Sequence, residues 1–506
     1  MAITPGGSLN SAPAPQKQAL TTNYLDLSTT SGWGQQYVPD LMEKEAEVFG
    51  QRTISGFLAQ VGAEESMTAD QVIWSEQSRL HLSYKGNVST ASGGANAGTG
   101  NVSIITIADD IDGIDIAAVG HGIRINDTVI IADTVNGIAK CLVTDVDATT
   151  IDVLPYDAAS LGTPAATLAA TSALQTTILV YGSEYGKGMS YPDGGANTTS
   201  SDSRGANEPR FTTFSNKPII MRDYYEVSGS DSSRVGWVEV TSEDGKSGYL
   251  WYLKAESETR LRFTDHIEMA MLEAELNDGT STVDGTINLG STTAGTGTAG
   301  TEGLFAAIES RGNLTSGVTG VNAATDLAEF DAILAEFDNQ GAIEENIMFV
   351  NRATALAIDD MLASMNSYGA GGTSYGVFDN DEDMALNLGF SGFRRGSYDF
   401  YKSDMRYLND KATRGSINAA NTAEAIRGVM IPAGTSSVYD QSLGKNLKRP
   451  FLHVRYRASA TDNRKLKTWT TGSVGASTSA LDAMQMHMLT ERCLITQGAN
   501  NFMLMK

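Results

Sequence analysis

Apolar residues recur every three or four positions through residues 246–277, a run that includes SGYLWYLKAESETRLRFTDHIEMAMLEAEL. Leu250, Leu253, Leu261, Ile267, Met271 and Leu272 fall in one stripe. Glu256–Arg260 and Glu258–Arg262 are i,i+4 pairs in the favourable order. The pattern predicts a helix of roughly thirty residues, about 45 Å long. Asn277-Asp278-Gly279 ends it. That length is large for a compact domain and marks a spine. A second helix is predicted over 39–60, with Leu41, Ala46, Phe49 and Ile54 near one face. A third lies in DLAEFDAILAEFDNQ, where Leu327, Phe330, Leu334 and Phe337 share a face.

Elsewhere the period is two. QVIWSEQS and RLHLSYKG, within 66–90, read as a strand pair. Over 101–181, short β-rich runs such as NVSIITIA, GIRINDTVIIA and TTIDVLPY are separated by turns such as Asp112-Gly113. This spacing predicts a small antiparallel barrel or sandwich inserted into a surrounding domain. Deleting 101–181 is expected to leave the rest folded. FTTFSNKPIIMRDYYEVSGS reads as a strand, NIMFVN as a buried strand and RATALAIDDMLASM as a helix after it. GFRRGSYDFYKSD, AIRGVMIPAG and FLHVRYRAS are strand-rich, and LDAMQMHMLTERCLITQGANNFMLMK reads as helix then strand. Gly- and Ser-rich stretches at 91–100 and 278–303 read as flexible connections, and GGANTTSSDSRGANEPR, within the polar extended run at 182–243, as a loop tip.

The fold class is therefore α+β. The chain divides into an N-terminal arm at 1–38, a helical region at 39–65, and an extended loop at 66–243 carrying the β-rich insertion at about 101–181. A spine-helix segment follows at 244–303, an α/β segment at 304–430, and a return segment at 431–506.

Composition limits the function classes. Two cysteines, Cys141 and Cys493, lie far apart and have no CxxC partner, so a disulfide framework or a zinc site is not indicated. MAITPGGSLNSAPAPQKQALTTNYL lacks an apolar run after a basic start, and no stretch approaches the ~18 apolar residues of a membrane helix. Folding in the cytoplasm, without a membrane partner, is the expectation. The net charge is −24. Residues 394–467 hold 15 Lys/Arg against 6 Asp/Glu, whereas 1–393 hold 19 against 52. A basic segment on an acidic body suits attraction between copies, with contact to a DNA backbone as a second use. Arg394, Arg395, Lys448, Arg449, Arg455 and Arg457 are the candidate cationic contacts, and Trp33 and Trp74 the candidate aromatic ones.

The search for a catalytic or cofactor site finds no complete pattern. GTSYG matches GxSxG at Gly372, Ser374 and Gly376, but its flanks read as loop. Gly295, Gly297 and Gly300 spell GxGxxG in a linker with no strand before them. Asp109, Asp110, Asp112 and Asp115 fail the EF-hand register. Met486-His487-Met488 reads as a Met-rich helix face before a soft-metal site. No cofactor is implied, and an enzyme is the least supported class.

The order of elements carries more information. NIMFVNRATALAIDDML at 346–362, LNLGFSGFRRGSYDFYKSD at 386–404 and IRGVMIPAGTSSVYDQ at 426–441 resemble successive elements of the axial domain in the Hong Kong 97 type fold. The chain as a whole resembles the major capsid proteins of tailed bacteriophages. Its opening, MAITPGGSLNSAPAPQKQ, and its loop insert look most like those of crAss-like phages. The resemblance implies a peripheral domain built on the spine helix, an axial domain, and an extended loop reaching over a neighbouring subunit. It further implies self-assembly as homo-pentamers and homo-hexamers into an icosahedral head around double-stranded DNA. Portal, scaffold and auxiliary or decoration proteins would be further partners, and the virion its location. An encapsulin-like compartment shell shares the fold. A β-rich surface-binding protein is the alternative from another class.

Overall fold

The computed structural model describes residues 64–77, 79, 81–90, 102–111, 113–133, 137–157, 161, 176–188, 211–232, 239–241, 247–277, 300–341, 343–366, 392–419, 425–433, 435–440, 445–473 and 479–506. The predicted N-terminal arm and the helix at 39–60 lie outside these residues, as do Trp33 and the GTSYG motif. The described chain is mixed α/β with more strand than helix. It forms two compact units, one of residues Ser75–Thr213 and one of the remainder.

In the larger unit the chain opens with strands β1 (Glu64–Met67) and β2 (Val72–Gln77); β2 runs past the boundary at Trp74. The smaller unit holds β3 (Ser83–Thr90), β4 (Ser103–Asp110), β5 (Asp127–Asp133), β6 (Gly137–Val146), β7 (Thr150–Pro155) and β8 (Thr176–Ser183). The chain returns through β9 (Phe211–Asn216) and β10 (Ile219–Ser228), followed by the short ribbon of β11 (Glu239–Thr241) and β12 (Ser247–Tyr249). Helices α1 (Leu250–Glu273) and α2 (Leu304–Arg311) come next. Then come β13 (Asn313–Thr315), α3 (Ala323–Gln340), β14 (Glu345–Val350), α4 (Arg352–Asn366), β15 (Gly392–Arg395), β16 (Tyr398–Asp404) and β17 (Gly428–Pro432). The C-terminal part contributes β18 (Thr435–Asp440), β19 (Lys445–Pro450), β20 (Leu452–Arg457), β21 (Lys467–Gly472), β22 (Ala483–Thr496) and β23 (Met503–Met505).

The smaller unit is a closed antiparallel barrel in the order β3-β4-β7-β6-β5-β8. Alternation explains it: Val129, Ile131, Cys141, Val143, Ile151 and Val153 point inward and are buried. Closure forces a close approach between β3 and β4. A Cβ on Gly86 would stand 2.2 Å from the Thr106 carbonyl oxygen, so only glycine fits there. β3 is thus a stave of the barrel, paired with β4 and β8, and not the partner of β2 as the alternation over 66–90 suggested. β2 pairs with β9 instead. The barrel therefore begins at Ser83, well before residue 101.

The larger unit is built on two sheets. One has six strands in the order β13-β23-β17-β14-β16-β15. Its alternate residues feed opposite cores. Met348, Phe400, Met430 and Met503 pack under α3 and α4, against Phe330, Phe337 and Ile358. Phe349, Val429, Ile431 and Leu504 face the other way, onto Met271 and Leu272 of α1 and Leu304 and Ile308 of α2. Leu452, Val454 and Leu494 of the second sheet join this same core. Asn351, at the β14–α4 junction, caps the helix: its Oδ1 accepts from Thr354 N at 2.8 Å.

The second sheet runs β1-β20-β22-β10, with β21 also on β22. α1 is shorter than its pattern predicts, 24 residues, or about 36 Å. β22 overturns the expectation of a helix. Met, Leu, Glu and Gln give LDAMQMHMLTERC strong helical propensity. The segment nevertheless pairs with β10, β20 and β21 and is buried along most of its length. Burial on both faces of a central strand also removes the alternation by which a strand is recognised.

Candidate assembly surface

The margin of the second sheet gathers a cluster of opposed charges among the described residues. β1 pairs in parallel with β20, Glu64 opposite Val454 and Met67 opposite Arg457. Glu64 receives Arg492 Nη1 at 2.9 Å and is also paired with Lys465. Glu65 lies 3.2 Å from Arg455 Nη2. Arg457 donates to Glu491 Oε1 at 2.7 Å and to the Thr68 carbonyl at 3.1 Å, and pairs with Asp70. Its pKa is raised, first by the hydrogen bond to Asp70. Glu491 is buried and also takes Arg464 at 2.8 Å. Arg455 and Arg457, read from sequence as contacts between copies, thus have acidic partners within the chain.

Trp74 is also held internally. It is 8% exposed and lies 6.3 Å from Phe214, ring to ring, where the chain leaves and re-enters the larger unit. The Arg311 guanidinium caps both rings, 4.5 Å from the Phe214 centroid and 5.7 Å from that of Trp74. Glu302 holds Arg311 at 2.6 Å. Arg395 reaches across to Asp331 on α3 through two parallel bonds of 2.5 and 2.7 Å. Arg394 lies 3.4 Å from Asp399 and its side chain is half exposed. Lys448 and Arg449 sit on β19, opposite Ser437 and Ser436 of β18.

Large apolar side chains are exposed on two outward faces, on β10 interleaved with Arg222 and Glu226. On β10, Ile220 and Tyr224 are each 56% exposed, while Met221 on the opposite face packs toward Phe263 and Ile267 of α1. Tyr224, His487 and Trp469 stand in register across β10, β22 and β21. Their centroids are 6.0 and 5.2 Å apart. His487 Nε2 lies 2.7 Å from Thr471 Oγ1. In the barrel unit, Ile138, Leu179 and Tyr181 are exposed, with Ile130 opposite Leu179 and Ala132 opposite Ile138. In the sequence these residues read simply as the outer half of an alternation.

Among the described residues no three His, Cys, Asp or Glu side chains stand together as a metal site. Asp110 and Asp115 spend their carboxylates on the Ile114 and Ala117 amides, at 2.8 Å each. Met486 and Met488 cannot converge with His487 on one ion, because adjacent strand residues point to opposite faces. Both cysteines are buried, which pushes each thiol from 9.0 up to about 12 and away from nucleophilic chemistry.

No family model matches the chain, and no curated protein matches it. Solved structures similar to it come from phages. A structure of Microbacterium phage Oxtober96 aligns with 95% of this chain and 99% of its own, at 9% identity and a TM-score of 0.36. The capsid structure of the Cyanophage P-SCSP1u covers 63% of this chain and 79% of its own, at 8% identity and a TM-score of 0.31. The asymmetric unit of the bacteriophage PhiM1 mature capsid covers 61% and 77%, at 10% identity and a TM-score of 0.29. With TM-scores below 0.5, these likenesses carry no part of the functional reading, which rests on the chain's own architecture.

Proposed function

We propose that the chain is a structural subunit of a closed shell, the major capsid protein of a tailed bacteriophage. In this reading it assembles as pentamers and hexamers into the icosahedral head around double-stranded DNA. The observation that carries the reading is the architecture. A 24-residue helix and two sheets share one core, and the chain departs from that body at Trp74, builds a separate closed barrel, and returns at Phe214. An enzyme gains nothing evident from such an excursion, whereas a shell subunit uses it to touch sister copies.

Closed rotational symmetry lets one chain make a shell from a few repeated interfaces. Because the cations at 455–467 are engaged within the subunit, the contacts between copies draw on the exposed faces of β10 and of the barrel, with Arg394 as a half-exposed cation. The buried area expected of an obligate interface is on the order of 2,000 Å² or more. Portal, scaffold and decoration proteins would be its further partners, the virion its location, and self-assembly its activity. Co-expression with scaffold, followed by negative-stain microscopy and light scattering, tests this. Closed particles or capsomer rings are expected; monomers under every ionic condition would refute it.

A further inference from the structure

β1 is four residues long, lies at the margin of its sheet and pairs with β20 alone among the described strands. So short a parallel edge holds weakly by its backbone. Met67 is its one buried side chain; Glu64, Glu65 and Ser66 are exposed or half-buried. What secures the segment is charge. Over residues 64–70, three carboxylates and the Thr68 carbonyl meet Arg455, Arg457, Lys465 and Arg492.

Three of those cations have contacts besides the segment, whereas Arg455 pairs with Glu65. Arg457 keeps Glu491 at 2.7 Å. Arg492 keeps Thr490 Oγ1 at 3.1 Å and the Lys465 carbonyl at 3.3 Å. Lys465 lies 5.5 Å from the Tyr456 ring centroid. The β20–β22 ladder from Leu452 to Tyr456 makes no use of β1 either. Removing the segment would therefore strip partners from its carboxylates while leaving most of the cations coordinated and the sheet paired.

We propose that residues 64–70 are an electrostatic strap, which detaches from the sheet as a unit while the sheet stays folded, and that ionic strength sets the fraction detached. The strap is the point at which residues 1–63 join the described fold, so its release would free that junction from the sheet margin. The proposal does not depend on the shell reading. Mobile ions act on it selectively because its carboxylates are partly solvated, whereas Glu491 is shielded by burial.

Hydrogen exchange of the full chain, read by mass spectrometry in rising sodium chloride, tests the strap. Exchange in peptides covering 64–70 should rise by about tenfold between low salt and ~1 M, where the screening length falls to about 3 Å. Peptides covering 452–457 and 483–496 should keep their protection. The double variant Glu64→Gln, Glu65→Gln should show the fast exchange already at low salt, and Glu65→Gln alone an intermediate rate. Exchange at 64–70 that ignores salt, or that rises only together with β20 and β22, would overturn the proposal.

Discussion

Glu64 and Arg492, 428 positions apart in the chain, meet at 2.9 Å on one sheet. The contact joins a strand near the start of the described fold to the central strand near its end. It belongs to a seam in which burial differs sharply from one ion pair to the next, and that difference decides which pairs matter for stability.

Glu491 is the buried carboxylate of the seam, with Arg457 and Arg464 on its two oxygens. Glu491→Gln takes the carboxylate from Arg464 and leaves Arg457 only the exposed Asp70, and should cost about 2–4 kcal/mol. Arg395→Ala removes a pair whose Asp331 side chain is 47% exposed, and should cost under about 1 kcal/mol. Parallel denaturant titrations of the two variants check the contrast; equal losses would contradict it.

Phe400 sits among Phe330, Phe393 and Tyr398 at centroid distances of 5.1, 5.3 and 6.3 Å. Phe400→Ala should destabilise the larger unit by about 3–5 kcal/mol. The barrel, with its own core, should melt where it does in the unaltered chain. Differential scanning calorimetry separates the two transitions.

Cys141, Cys493 and Tyr398 titrate late. Burial lifts both thiols from 9.0 to about 12, and burial with the Asp338 hydrogen bond lifts Tyr398 from 10.0 to about 12. Each folded value lies above the unfolded one. Their contribution is therefore fully present below about pH 9 and is lost as pH rises toward 12. Stability measured from pH 8 to 12 should fall, and Cys493→Ala should make the fall shallower. Native protein at pH 8 should resist maleimide at both cysteines, becoming reactive on unfolding.

A deletion maps the units. Replacing 75–213 by a short Gly/Ser linker should leave the larger unit folded, with its α1 and α2 core intact. Cutting at 101 and 181 would instead strand β3 without β4 and truncate β8. Circular dichroism and a retained calorimetric transition for the larger unit check the first; expression as aggregate would contradict it.

These boundaries show where sequence reading succeeds and fails. Helix α3 and the β14–α4 junction are legible because Phe330 and Phe337 repeat at helical spacing and Asn351 supplies a cap. The barrel is legible as alternating runs between turns, but β3 is not, since QVIWSEQS and RLHLSYKG alternate alike and the true partner of the first, β9, lies far along the chain. β22 fails because sheet burial on both faces overrides the propensity of its Met and Leu residues. The charge segregation is legible, yet its use is not. Nothing local in Glu64 or Glu65 shows that Arg455, Lys465 and Arg492 are waiting about 400 residues later.

The central claim, that the barrel-bearing excursion serves contacts between copies, is tested most directly by isotope-mixed cross-linking. Unlabelled and nitrogen-15-labelled chains are co-assembled and cross-linked, and linked peptides are sorted by mass. The account predicts mixed light–heavy links joining residues 75–213 of one copy to the body of another. Links found only within single chains, in a sample that sediments as monomer, would contradict it.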